Sequence, residues 1–491
     1  MFARRSYLDY LVKRLDDETF AFSFSDAQTK LVYDLTPRHH LEVLAVAGRS
    51  AFHEPPDRLS VNDEANARSD SAFGGLTWKY APSSRFVLAQ RFYATGSALT
   101  NTNRLDSLLD EGRAVDVGWR ADATVAASAG RVVLDLGGAV QRTSERNQRQ
   151  RTFDAAAAPT LLASYDERAD AASAYAQTKL QAGSRFSVTP GIRVDRWRLT
   201  RTVTSSPWLI GEWAVTPATE LKVGTGVYQQ FPDLANVFGI NGGGAGLRPE
   251  RAIHVDAGIV RSLGRATTVR GTVYARRESH VLWMRDAEPR LAPDGSIQPG
   301  RGDARWSNAL DGDAAGVEIV LRRNAPDRLS GWAGYAYGSL RYTDLLAGET
   351  FWADADQRHT VSLFGNYRIS NRSTVNAKFR YGSNYPLRGY VAEQPLVPGA
   401  PSLLGGPVLF YGLAAERNTL RLPAYARLDI RADRVFNWSS HRITLFGEVI
   451  NALNRTNLRN VPFSVDRRGR VSGATDSLMP IVPSVGCVVE F

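Results

Sequence analysis

One cysteine, Cys487, is all the thiol chemistry in this chain. That excludes an internal disulfide framework and any metal site built from several cysteines. Long apolar runs are missing too. No window approaches the roughly 18 uninterrupted apolar residues of a membrane-spanning helix. The longest run of small or apolar residues, 155–163, is interrupted by Pro159. A chain of this kind that crosses a membrane must do so with strands closed into a barrel. A basic block is also absent. The formal net charge is +10, from 60 Lys and Arg against 50 Asp and Glu, but the arginines are spread along the chain and alternate with acids. That distribution favours a wet interior and polar loops over a nucleic-acid surface.

What the chain does have is alternation. Tyr425, Arg427, Asp429, Arg431 and Asp433 fall on one side of an extended segment, with Ala426, Leu428, Ile430 and Ala432 on the other. After the connection Asn437–Ser440, Ile443, Leu445, Gly447 and Val449 alternate with Arg442, Thr444, Phe446 and Glu448. Upstream, Val115, Val117, Trp119, Ala121, Ala123 and Val125 oppose Asp116, Arg120, Asp122 and Thr124. Period two over about ten residues marks a strand. One face is apolar and the other carries charges of both signs. The last strand, Ile481 to Phe491, places Ile481, Pro483, Val485, Cys487, Val489 and Phe491 together. Taken alone, it fits a soluble sheet that ends here or the closing strand of a barrel.

The connections discriminate between these readings. Short ones, such as Thr36–His39, Ala81–Arg85, Thr216–Thr219 and Ser370–Ser373, take turns with long polar ones. The long set includes Phe52–Ser69, Ser144–Ala169, Gln229–Pro249, Arg285–Arg305, Tyr342–Asp356, Tyr385–Leu420 and Arg455–Leu478. Tight turns on one side and large loops on the other are what an up-and-down membrane barrel requires. Trp78, Tyr80, Trp208, Trp213, Trp283 and Trp438, near strand ends, suit aromatic girdles. The expected fold is all-β: a large antiparallel transmembrane β-barrel of about twenty strands, with short periplasmic turns and long extracellular loops.

Several segments resemble the barrel domain of TonB-dependent outer-membrane receptors. They are Arg427-Leu428-Asp429-Ile430-Arg431, then Glu448 to Asn457 with its Asn451-Ala452-Leu453-Asn454 core, and the closing strand to Phe491. Leu247-Arg248-Pro249-Glu250, after Gln230-Phe231-Pro232-Asp233-Leu234, and Asp356-Gln357-Arg358-His359-Thr360 follow the same family's habits. The resemblance runs over nearly the whole chain, so residues 1–491 are expected to form one barrel domain. It implies a bacterial outer-membrane location and energised uptake of a scarce nutrient such as an iron chelate, cobalamin or an oligosaccharide. The implied partners are outer-membrane lipid, a small-molecule or oligosaccharide ligand, and the barrel-assembly machinery. That machinery would recognise the terminal strand through Val485, Cys487, Val489 and Phe491. The TonB energy-coupling complex would be a partner only with a plug domain in the full-length protein.

Met1–Leu15 is too short for the family's plug, and no apolar core or cleavage site of an export signal follows its basic start. The expectation is a barrel lacking its plug and about two strands of a probable 22. A passive plugless channel and an outer-membrane enzyme with a rim site are the alternatives.

No catalytic constellation emerges. The seven histidines are scattered, and neighbours such as His39 and His40 point opposite ways in an extended chain. Asp356 and His359, with Ser362, read as a strand start more naturally than as a hydrolase. Gly242-Gly243-Gly244 precedes no helical pattern and reads as a flexible loop. No catalytic residue, metal, cofactor or nucleic-acid partner is expected. For ligand recognition the candidates are loop and rim aromatics, which bind chelates and sugars by stacking: Tyr228, Phe231, Phe351, Trp352, Tyr385, Tyr390 and Tyr411.

Overall fold

The structure is a computed structural model that describes residues 2–5, 21–54, 59–153, 159–325, 328–395, 409–439 and 441–490. In chain order the first strands are β1 (Phe2–Arg5), β2 (Ala21–Thr36), β3 (His39–His53), β4 (Asn66–Ser83), β5 (Phe86–Thr102), β6 (Leu108–Ala127), β7 (Val132–Arg151), β8 (Thr160–Ala182) and β9 (Phe186–Trp197). Then come β10 (Thr202–Thr216), β11 (Thr219–Gln230), helix α1 (Leu234–Phe238), β12 (Glu250–Leu263), β13 (Thr267–Met284), β14 (Arg290–Leu291), β15 (Ile297–Gln298), β16 (Trp306–Arg323) and β17 (Leu329–Asp344). The remainder are β18 (Thr350–Trp352), β19 (His359–Ser370), β20 (Ser373–Gly382), β21 (Val391–Pro395), β22 (Leu409–Leu413), β23 (Tyr425–Trp438) and β24 (His441–Ile450). The chain closes with β25 (Leu458–Asn460), β26 (Ser464–Val465), β27 (Val471–Ser472), β28 (Thr475–Ser477) and β29 (Val482–Glu490). Among the described residues the main sheet counts 21 strands, of which β18 is a three-residue strip. No described helix is long and apolar enough to cross a membrane. The chain divides into two compact units.

In the first unit, β1 to β9 pair antiparallel, each with its neighbour in sequence. The register puts Phe92, Trp119, Val140 and Ala172 in one cross-strand row. This apolar face is the exposed one: Phe92 and Val140 are each 50% accessible. The charged face is the satisfied one. Asp122 accepts from Arg91 Nη1 at 2.5 Å, Arg120 Nε at 2.9 Å and the Tyr175 hydroxyl at 2.8 Å. A soluble domain does the reverse, whereas a strand wall with lipid outside and water inside requires this arrangement. From Val115 to Val125 the apolar face runs ~33 Å along the strand at ~3.3 Å per residue. At a tilt near 40° that matches an apolar band of about 25 Å. Glycine on the wet face makes room for rings: a Cβ on Gly137 would lie 2.2 Å from the Tyr175 ring. At the short-turn end, His39 stacks on Tyr80 (4.6 Å) and Trp78 (5.7 Å), and Trp78 Nε1 donates to His39 Nδ1 at 3.1 Å.

Two local expectations change. β7 and β8 run on through most of Ser144–Ala169, paired as far as Arg151 and Thr160, and Arg149 and Arg151 tie the extended β7 to Asp110 of β6 at 2.7 and 3.3 Å. The glycine-rich stretch after α1 is hydrogen-bonded, not loose. Asp233 caps the helix through a reciprocal box with Asn236. Gly243 and Gly244 then donate to Asn236 and Val237 carbonyls at 2.9 and 3.2 Å, and Trp306 N donates to Asn241 O at 2.9 Å. A Cβ on Gly243 would stand 2.1 Å from the Trp306 carbonyl oxygen, so the glycine is there for close approach.

In the second unit the ladders are β12–β13, β16–β17, β17–β19, β19–β20, β20–β23, β23–β24 and β24–β29. The Asn451-to-Asn454 motif is a turn. Both asparagines take left-handed backbone angles (φ 51° and 46°), which asparagine tolerates better than most residues. Asn451 Nδ2 donates to Arg455 O and Met479 O at 3.0 and 3.2 Å, and Asn454 Oδ1 accepts from Ile481 N at 3.2 Å. The motif therefore pins the entry of the last strand. In β29, Val485 (88% accessible), Cys487 and Val489 are exposed together opposite Gly447, Leu445 and Ile443. Phe491 lies outside the described residues.

Candidate functional site

The long loops of the second unit have a core of their own. Leu387, Val391, Leu413, Leu422, Val471 and Ala474 are buried together, from two long connections, between β20 and β23 and between β24 and β29, that the sequence shows only as polar. Paired strips tie these segments down: β14 with β15, β21 with β22, β25 with β28, and β26 with β27. Burial of apolar side chains against each other fixes a loop as it fixes a domain.

Beside that core lies a charge cluster around Arg417, whose side chain is 1% accessible. Its Nε and Nη2 donate to the two Glu288 carboxylate oxygens at 2.7 and 2.9 Å, and its Nη1 donates to Asp354 at 2.6 Å. The guanidinium carbon stands 4.6 Å from the Trp283 ring centroid and 5.0 Å from that of Phe351. Asn418 Nδ2 donates to Trp352 O at 2.6 Å and to Asp354 at 2.8 Å, while its Oδ1 accepts from Gly389 N. Tyr390 donates its hydroxyl to Glu349 at 3.0 Å with Arg290 over its ring. Arg388 lies 3.3 Å from Asp354 and 3.5 Å from Glu288.

Burial works against the charge on both Asp354 and Arg417. The Arg417 hydrogen bonds nevertheless hold the Asp354 carboxyl below the usual range, and Glu288 and Asp354 raise the Arg417 guanidinium. Burial and Glu349 push the Tyr390 phenol up to about 12. Arg290, Arg388 and Arg417 face Glu288, Glu349 and Asp354. Arg290 also lies 3.6 Å from Asp286, so every cation here is paired with at least two carboxylates and the cluster works as a clasp between loops.

The seven candidate aromatics are divided by this arrangement. Phe351 (5% accessible) and Tyr390 (8%) are packed into the clasp. Trp352 borders it, its ring sandwiched by Arg341 and Arg358 at 3.8 and 4.0 Å. Tyr385 and Tyr411 stay exposed on the same loop system. Tyr228 is exposed on β11 with its ring 4.5 Å from His254, and Phe231 stacks on Trp197 at 5.6 Å. The open stacking surfaces of the loop system are thus Tyr385 and Tyr411, with Arg388 as a half-exposed cation nearby in sequence. Sequence reasoning missed Arg417, Glu288, Asp354 and Asn418, whose only signal is their meeting in space.

Asp356 and His359 are employed separately. Asp356 accepts from Leu340 N at 2.8 Å and from Arg421. His359 Nδ1 meets the Tyr335 hydroxyl at 2.9 Å. His40 pairs with Asp34 at 2.7 Å, and His39 belongs to the aromatic stack. Each has a structural task in the wall.

The family model for the TonB-dependent receptor-like β-barrel matches residues 6–452. The chain belongs to the TonB-dependent receptor family. Solved structures agree in fold. The ferric enterobactin receptor PfeA of Pseudomonas aeruginosa superposes with a TM-score of 0.69 at 14% identity, over 96% of this chain and 70% of that one. The ferric citrate transporter FecA gives 0.68 at 15% identity, over 96% and 70%. The copper transporter OprC gives 0.69 at 13% identity, over 95% and 71%. No curated protein matches the chain. The barrel expected from alternation is therefore the barrel of this family. At such identities the shared property is the fold, and the ligand has to be argued from the loops.

Proposed function

We propose that residues 1–491 form the barrel domain of an outer-membrane receptor that imports a scarce small ligand by energised, TonB-linked uptake. The ligand class is an iron chelate, a cobalamin-like complex or an oligosaccharide. The observation that carries this reading is the family match over residues 6–452. The wall supports it: an apolar exposed face and a hydrogen-bonded charged face suit a lipid-bounded, water-lined passage. So does the clasp, which holds the long loops as a fixed platform on which Tyr385 and Tyr411 offer stacking surfaces. A preformed platform binds without first meeting the cost of ordering its loops.

The test is uptake of labelled chelates, cobalamin and oligosaccharides by the native host and by its deletion strain, with and without a protonophore. The expected result is uptake of one ligand that disappears on deletion and when the proton gradient collapses. Entry that survives the protonophore would replace this reading with a passive channel. Conversion of the ligand at the cell surface would replace it with an enzyme.

A further inference from the structure

A cavity of about 440 Å³ opens on the polar face of the second unit's strands, lined among others by His254, Asp256, Tyr274, Arg276, Leu340 and Gln357. Asp256 stands opposite Tyr274 in the β12–β13 ladder and His254 opposite Arg276, so alternation puts all four on one face. Their neighbours Val255 and Val273, 50% and 55% accessible, take the apolar face. Glycine cuts this surface to shape. Cβ atoms on Gly316 and Gly338 would come within 2.5 and 2.8 Å of the Tyr274 hydroxyl. One on Gly224 would stand 2.9 Å from the Asp256 carboxylate, and one on Gly382 2.4 Å from the Gln357 amide. Glycine inside a strand weakens it, and here four of them make room for three side chains of one cavity. Gln357 comes from the strap between β18 and β19, which is fixed on β17. Ala353 N donates to Leu340 O at 3.0 Å, Asp356 accepts from Leu340 N at 2.8 Å, and Arg421 holds the same carboxylate.

The other charges at this cavity are paired. Arg276 lies 2.8 Å from Glu278, and the Asp356 side chain is enclosed among its donors. Asp256 is exposed, with neither a salt bridge nor a side-chain hydrogen bond among the described residues, and the Tyr274 hydroxyl and Gln357 amide are free in the same sense. We propose that the cavity is a subsite for one ring of a neutral oligosaccharide. Tyr274 takes the C–H face of the sugar, Asp256 accepts from adjacent hydroxyls, and Gln357 donates from the strap. This rests on the import reading given above and narrows its ligand class. A sugar ring has an apolar face and edges of paired hydroxyl donors. A half-buried phenol ring meets the first, and a carboxylate with two acceptor oxygens beside an amide meets the second. An anionic chelate would face Asp256 with no unpaired cation to balance it. A small cation would use Asp256 and leave the ring without a role. Tyr228, its ring 4.5 Å from that of His254, continues the aromatic surface onto β11. Strap and wall are already hydrogen-bonded, so the ligand meets a formed site.

The test uses the protein folded in detergent, with native mass spectrometry reading retention of maltotetraose, cellotetraose, xylotetraose, mannotetraose and N-acetylchitotetraose against ferric citrate and spermidine. Wild type should retain at least one tetrasaccharide in preference to the chelate and the polyamine. Asp256→Asn and Tyr274→Ala should each weaken that complex at least ~10-fold, through loss of a charged acceptor or of a ring contact. Asp256 bonds to nothing in the wall, so Asp256→Asn decides the matter if Tyr274→Ala does not fold. Val273→Ala, on the opposite face of the same strand, should match wild type. Retention of no tetrasaccharide overturns the sugar assignment. Spermidine held by wild type and lost in Asp256→Asn makes the cavity a cation site and overturns it too. A tetrasaccharide held equally by wild type and both cavity variants binds elsewhere and overturns the site. Sugar bound in detergent but not taken up by energised cells would instead sink the import reading and leave the subsite standing.

Discussion

The Arg417 guanidinium meets both carboxylate oxygens of Glu288, a residue 129 positions earlier in the chain, at 2.7 and 2.9 Å. The pair fastens one long loop to another from inside, and Asp354 takes the remaining donor edge. A paired buried charge of this kind is worth little as an attraction, but removing one member strands the other.

Replacement of Arg417 by Ala should therefore loosen the loops without dissolving the wall. The expected cost to loop closure is about 3–5 kcal/mol, read as rapid proteolysis within 385–395 and 409–420 while the strands keep their circular dichroism. Arg417→Lys should rescue poorly, because an ammonium does not reproduce two parallel N–H donors. A loop as protease-resistant as wild type in Arg417→Ala would show that the apolar core alone holds it.

The clasp should also open with acid. Asp354 has its carboxyl pKa lowered in the folded protein. Its stabilising contribution is therefore complete above the ordinary carboxylate pKa and is lost as pH falls through the lower, folded value. Hydrogen exchange of residues 388–394 and 409–418 should stay slow at neutral pH and quicken only below about pH 4. Quickening that begins near pH 6 would point to a histidine and away from Asp354.

Exposure on the wall should not behave like exposure to water. Val194 is 43% accessible on the apolar face, and an ordinary surface change there would cost little. In lipid, Val194→Arg should destabilise the folded protein by about 2–4 kcal/mol, measured by denaturant titration in vesicles. A change within about 0.5 kcal/mol would mean that this face does not meet the bilayer core.

The candidate aromatics should separate into two groups. Tyr385→Ala and Tyr411→Ala are expected to weaken ligand binding while assembly continues, since each ring is exposed. Phe351→Ala removes a ring packed under Arg417 and should cost about 3–5 kcal/mol of stability in the loops. Unchanged affinity in both tyrosine variants would take them off the recognition surface.

What could be read in the sequence is whatever an extended chain writes locally. Period two placed Val115 to Val125 on one face and Asp122 on the other, because neighbouring side chains of a strand point opposite ways. The Asn451–Asn454 segment was legible only as a motif resembling the family's; that it is a turn with two left-handed asparagines came from the structure. Alternation also placed Val485, Cys487 and Val489 on one face of the final strand, while their exposure came from the structure.

The loops obeyed no such period. Arg417, Glu288 and Asp354 are three ordinary charged residues in polar segments, and only the placement of loop ends brings them together. Gly243 looked slack until the Trp306 carbonyl came within reach of its missing Cβ. Phe351 and Tyr390 looked like rim aromatics until other loops covered them. Local sterics make strands and turns readable one segment at a time. Burial and ion pairing over long separations are decided by the register of the whole wall, and they exist only after it has formed.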